Sequence, residues 1–180
     1  YRLLGAVMLN QGKLLDAKEV YQQGLGVMPD SPELMLALAK YFREIKAYDE
    51  AVVSYEALLK RYPDADEAAN DLADLLVNTS NDPDRLKQAA QLVERFKNSK
   101  QPYALDTYGW VLFKLGELDK AVIALKQAVK VGLDNAYMYY HLGEALYAVG
   151  DYSASKLELE KVLLLAKKDK AFSELGRVRF

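Results

Sequence analysis

A leucine or tyrosine followed by a small residue recurs along this chain at Leu4-Gly5, Leu38-Ala39, Leu72-Ala73, Tyr108-Gly109 and Leu142-Gly143, at steps of 34, 34, 36 and 34 residues. A fixed period of this length means one small unit stacked on copies of itself, which argues against a globular enzyme built around one deep cleft. With the small residue set at unit position 8, position 20 is Ala17, Ala51, Ala89, Ala121 and Ser155, the third unit needing four extra residues to reach Ala89. Position 24 is Tyr21, Tyr55, Val93, Leu125 and Leu159, and position 15 is Gly12, Lys46, Gly116 and Gly150 where the third unit is interrupted.

Within each unit, apolar residues recur at helical spacing in two blocks, for example Leu34, Leu38, Tyr41 and Phe42, then Val52, Tyr55, Leu58 and Leu59. The short link between blocks predicts an antiparallel helix pair. Small residues at positions 8 and 20 let the two backbones approach, and large residues at 7, 11, 24 and 28 fill the space between them. All five prolines fall outside the helix interiors. Pro32 follows Ser31 as first helical residue after an N-cap, and Pro83 follows Asp82 in the same way. The second helix of unit three is therefore expected to start near residue 83, after a polar insertion that is either a tolerated loop or a contact loop.

These positions resemble the tetratricopeptide repeat (TPR) family, whose pattern is W-x2-L-G-x2-Y, then A, F and P over 34 residues. The fourth unit, YALDTYGWVLFKLGELDKAVIALKQAVKVGL, and the fifth, AYMYYHLGEALYAVGDYSASKLELEKVL, carry it most fully. Ser155 in place of alanine, the insertion and the missing prolines at 101, 133 and 167 are departures. The resemblance implies an all-α, right-handed superhelical α-solenoid of antiparallel helix pairs. Its units are 1–31, 32–65, 66–101 with the insertion, 102–135 and 136–169, with 170–180 the start of a further repeat or a capping helix. The repeat frame places Tyr1 inside a helix, so the sequence is expected to begin in mid-repeat.

Composition narrows the function classes. With 24 basic and 26 acidic residues there is no basic excess of the kind nucleic acid attracts. The absence of cysteine excludes disulfides, thiolate catalysis and cysteine metal sites. No stretch is long and apolar enough to span a bilayer. No nucleotide-binding glycine loop occurs, and no cofactor is expected. His141 is the single histidine and is expected to be a partly exposed structural residue. The acidic run Asp64, Asp66, Glu67, Asp71 and Asp74 reads as a helix start plus a solvated face. Lys167, Lys168 and Lys170 read as a basic turn at a helix end.

Function is then expected on a surface. In the resembled family the first helix of each pair lines a concave face through unit positions 2, 5, 9, 12 and 13. Carried over, these are Glu33, Leu36, Lys40, Arg43 and Glu44, then Glu67, Asn70, Asp74, Val77 and Asn78. The fourth unit supplies Tyr103, Asp106, Trp110, Phe113 and Lys114, and the fifth Tyr137, Tyr140, Glu144, Tyr147 and Ala148. The six aromatics of the last two units read either as a partner-binding patch or as rings packed between adjacent first helices, Phe113 and Tyr147 above all. Asp106 and Glu144 among them are expected to pair with a basic partner group. On the patch reading, Trp110→Ala with Tyr140→Ala removes binding and leaves helicity intact. Chaperone-tail-binding members clamp a terminal carboxylate with lysine and asparagine at positions 5, 9 and related sites; here the acidic and aromatic half of that set, Asp74, Asp106, Trp110, Tyr140 and Glu144, cannot make the clamp.

The expected function is a non-enzymatic scaffold that binds a peptide or helix of another protein. The alternatives are a polysaccharide-contacting segment and a spacer within a longer array. Residues 66 to 165 also look like units of long bacterial repeat proteins, some in exopolysaccharide export or outer-membrane adaptors. That similarity implies a setting in the periplasm or at the outer membrane, with the cytoplasm as the alternative.

Overall fold

A computed structural model describes residues 1–132 and 134–166. Leu133, the basic turn at Lys167, Lys168 and Lys170, and the segment 170–180 lie outside the described residues. The described secondary structure is entirely helical: α1 (Arg2–Asn10), α2 (Leu14–Val27), α3 (Pro32–Glu44), α4 (Tyr48–Arg61), α5 (Asp66–Thr79), α6 (Pro83–Val93), a 3-10 turn (Glu94–Phe96), α7 (Pro102–Lys114), α8 (Leu118–Val131), α9 (Ala136–Ala148) and α10 (Tyr152–Ala166). The chain forms two compact units, Tyr1–Asn81 with α1 to α5 and Asp82 onward with α6 to α10. The division falls inside the polar insertion of the third repeat.

The expected helix starts are present. Ser31 Oγ accepts a hydrogen bond from the Leu34 amide and Pro32 opens α3. Asp82 caps the Asp84 amide and Pro83 opens α6, placing that start where the sequence put it.

Each pair turns through one device. At the end of α1 the Gly12 amide donates to the Leu9 carbonyl and the Lys13 amide to that of Met8, with Gly12 at φ +74°. The same two bonds close α3 at Lys46, α7 at Gly116 and α9 at Gly150. This is a left-handed helix stop that satisfies two otherwise orphaned carbonyls. Three-residue links of this kind leave antiparallel neighbours, and α1 packs on α2, α3 on α4, α7 on α8 and α9 on α10.

The small residue at position 8 faces the large residue at position 24. A Cβ on Gly109 would lie 2.7 Å from Leu125 Cγ, and one on Gly143 2.7 Å from Leu159 Cδ2, so these glycines are required by close approach. The residues at position 20, Ala17, Ala51, Ala89, Ala121 and Ser155, are all buried. Ser155 replaces alanine without an orphaned hydroxyl, because its Oγ donates to the Gly143 carbonyl at 2.8 Å.

Candidate functional site

In the first unit, α1 and α3 set their side chains around one cavity of about 430 Å3. Its floor is Ala6, Leu9, Leu36, Ala37 and the faces of Tyr21 and Tyr41, and its rim is Arg2, Glu33, Lys40 and Glu67. Glu33, Leu36, Lys40 and Glu67 are residues that the repeat frame assigned to the concave face. A smaller recess of about 210 Å3 adjoins it between α3 and α5 and shares Glu33, Leu36 and Glu67.

Charge along the rim is arranged in a network between α3 and α5. Lys40 bonds Glu67 and lies 3.6 Å from Asp71, while Arg43 lies 3.5 Å from Asp71 and 2.9 Å from Asp74. Burial works against the Lys40 and Arg43 charges, yet their carboxylate partners hold both groups above their ordinary pKa values. Glu33 is held below its ordinary value by its own backbone amide at the start of α3 and by the Ser31 hydroxyl. Asp71 and Asp74, expected on a solvated face, are partly buried members of this network. Asn70 is buried, which corrects the expectation of a side chain offered to solvent; its Oδ1 has no hydrogen-bond partner among the described residues.

In the second unit the aromatic residues divide into two sets. Trp110 is 4% exposed, stacked on His141 at 4.1 Å between ring centroids and on Phe113 at 4.8 Å. Tyr140 leans on Trp110 at 6.2 Å, and Lys114 Nζ sits 4.7 Å from the indole centroid. Trp110 therefore fills the space between α7 and α9: of the two readings open for these rings, packing between adjacent first helices holds for this one and the open patch does not. Tyr103, Tyr137 and Tyr147 are 49%, 53% and 64% exposed. Tyr147 also meets Tyr152 edge-on at 5.1 Å.

Asp106 is corrected in the same way. It is buried, and its Oδ2 accepts a 2.9 Å hydrogen bond from Nδ1 of His141, which is itself 8% exposed and not the partly exposed residue expected. A carboxylate only accepts, so the Nδ1 of His141 carries the proton. Asp106 Oδ1 has no hydrogen-bond partner among the described residues. Glu144 remains half-buried near Tyr140, whose phenol is pushed up by burial and by the Glu144 charge.

The sequence carried a signal for this burial. From Ala104 to Leu112 every residue of α7 is buried, because α6, the 3-10 turn, α8 and α9 all pack on that helix. A helix that reads apolar almost all round belongs inside. Among the described residues no group of three or more His, Asp or Glu is placed to hold a metal ion. No described helix is long and apolar enough to cross a membrane.

Residues 109–150 match a family model described as TPR repeat, and residues 33–65 and 136–169 match models described as tetratricopeptide repeat. Together the matches cover more than half of the chain. The chain belongs to the tetratricopeptide repeat family. Over 178 residues it is 25% identical to human Protein O-mannosyl-transferase TMTC1, an alignment that takes in 95% of this chain and 20% of that protein. This TPR chain thus spans one fifth of the length of that curated relative.

Among solved structures, the TPR fold superposes on the Cut9-Hcn1 hetero-tetramer of the APC/C with TM-score 0.79 at 18% identity, over 95% of this chain and 34% of that one. It superposes on MamA of Desulfovibrio magneticus RS-1 with TM-score 0.74 at 19% identity, over 94% of each chain. The value for the TPR protein TTC0263 of Thermus thermophilus is 0.74 at 23% identity, over 94% of this chain and 92% of that one. At such identities the likeness is one of fold.

Proposed function

We propose that this TPR chain binds a peptide or helical segment of a protein partner on the face formed by its first helices. The observation that carries the reading is the convergence of family groove positions on the cavity between α1 and α3, with its apolar floor and charged rim. An apolar recess with a few convergent polar groups is the usual form of a recognition site. A rim bearing Arg2 and Lys40 beside Glu33 and Glu67 suits peptide amides and mixed charges. Within the second unit, Tyr103, Tyr137 and Tyr147 are exposed first-helix aromatics that suit partner contacts of their own. The burial of Trp110 weighs against the saccharide platform that six open rings would have made. The bacterial-envelope setting rests on the sequence resemblance alone, and relatives from human and bacterial proteins do not point to it.

The test is a random-peptide array probed with wild type and with Leu36→Glu/Lys40→Glu. Peptides retained by wild type are expected to lose roughly tenfold or more in affinity for the variant, the loss of one anchor pocket. An array on which wild type selects nothing, or on which both proteins select the same peptides equally, favours the spacer reading.

A further inference from the structure

A second concavity lies within the second unit. The segment between the 3-10 turn and α7 and the C-terminal end of α8 enclose a cleft of about 510 Å3, lined by Lys97, Lys100, Lys130, Gln127, Leu105 and Val131, among others. Three lysines and no acidic side chain line it. Lys97 has an exposed partner, Glu94, at 3.7 Å. Lys100 and Lys130 have no ion-pair partner among the described residues. The cleft stands beside the start of α7, whose N-cap Gln101 makes no side-chain capping bond, so the positive end of that helix adds to the field. In a chain of net charge −2 this concentration of positive potential is local.

We propose that this cleft docks an acidic peptide segment of a protein partner. Its volume exceeds what one small anion needs, and Leu105 and Val131 give an apolar wall for the side chains between carboxylates. Gln127 and Asn98 supply neutral partners for peptide amides. The site shares no residue with the cavity on the first-helix face.

The experiment is a fluorescence-anisotropy titration of the whole chain with a short labelled peptide of alternating glutamate and leucine, at low ionic strength. Wild type is expected to bind it and to release it as salt is raised. Lys100→Glu/Lys130→Glu should weaken binding by roughly tenfold or more, and Lys156→Glu on α10 should leave it unchanged. Both lysines are exposed, so the double variant should keep its helical circular dichroism; Lys100→Gln/Lys130→Gln serves if it does not. Equal binding by the charge-reversed variant overturns the proposal. So does equal binding of a lysine–leucine peptide, or capture of inorganic phosphate by a protein that ignores the acidic peptide.

Discussion

Asp106 Oδ2 of α7 and His141 Nδ1 of α9 share a 2.9 Å hydrogen bond, joining the first helices of two successive repeats through side chains that are both about nine-tenths buried. Removing one partner of a buried polar pair leaves the other desolvated and unmatched. Asp106→Ala should therefore lower stability by about 2–4 kcal/mol, read as a shift in urea midpoint by circular dichroism. Asp106→Asn keeps an acceptor and should cost less than about 1.5 kcal/mol. Two variants with wild-type midpoints would show that the pair does not hold the repeats together.

Trp110 lies on the same seam. Its ring is buried and stacked on both His141 and Phe113, so Trp110→Ala opens a large cavity and should cost about 3–5 kcal/mol. Tyr137→Ala, on the same repeat face but half exposed, should stay within about 0.5 kcal/mol of wild type. The measurement is chemical unfolding of each single variant. A Trp110→Ala protein as stable as wild type would return this ring to the set of open binding residues.

The contrast shows which parts of this molecule its sequence carries and which it does not. The period, the helix starts at Pro32 and Pro83, and the tight pairing of position 8 with position 24 follow from local chemistry, since proline, capping oxygens and absent side chains act within one repeat. The environment of Asp106 and Trp110 is set by α9, in the next repeat, and depends on how closely two first helices run. A repeat-position rule averages over that distance. His141 is a family-neutral position, yet it is the residue that draws Asp106 inward and stacks on Trp110. The apolar run through α7 is a sequence sign of that burial which a repeat-position reading passes over.

Lys46 occupies the helix-stop position that glycine fills at 12, 116 and 150, and its φ is +61°. A side chain in the left-handed region costs roughly 1 kcal/mol relative to glycine. Lys46→Gly should thus raise stability by up to about 1 kcal/mol, visible as a higher Tm. Gly116→Ala should lower it by a similar amount, although open space surrounds that position, because the cost there is conformational. If neither substitution moves Tm, the left-handed stops do not contribute as the geometry implies.

Tyr139 offers a pH-dependent test. Its hydroxyl donates to Asp134 Oδ1 at 2.6 Å just before α9, and Lys161 Nζ of α10 lies 4.8 Å from its ring centroid. The bond to Asp134 is the main reason its phenol is pushed up to about 12, with burial and the Asp134 charge adding to it. The folded chain then holds this proton more tightly than the unfolded chain, where the value is near 10. The resulting stabilisation is complete below pH 10 and is lost as pH rises toward 12. The resonance of the labelled Tyr139 ring, assigned by its absence in Tyr139→Phe, should titrate near 12, and Asp134→Asn should move that midpoint down. A midpoint near 10 in a protein still helical by circular dichroism would mean that the bond does not persist in solution. The gap in unfolding free energy between wild type and Tyr139→Phe should close across the same pH range, since only the wild type loses a proton from this site on unfolding there.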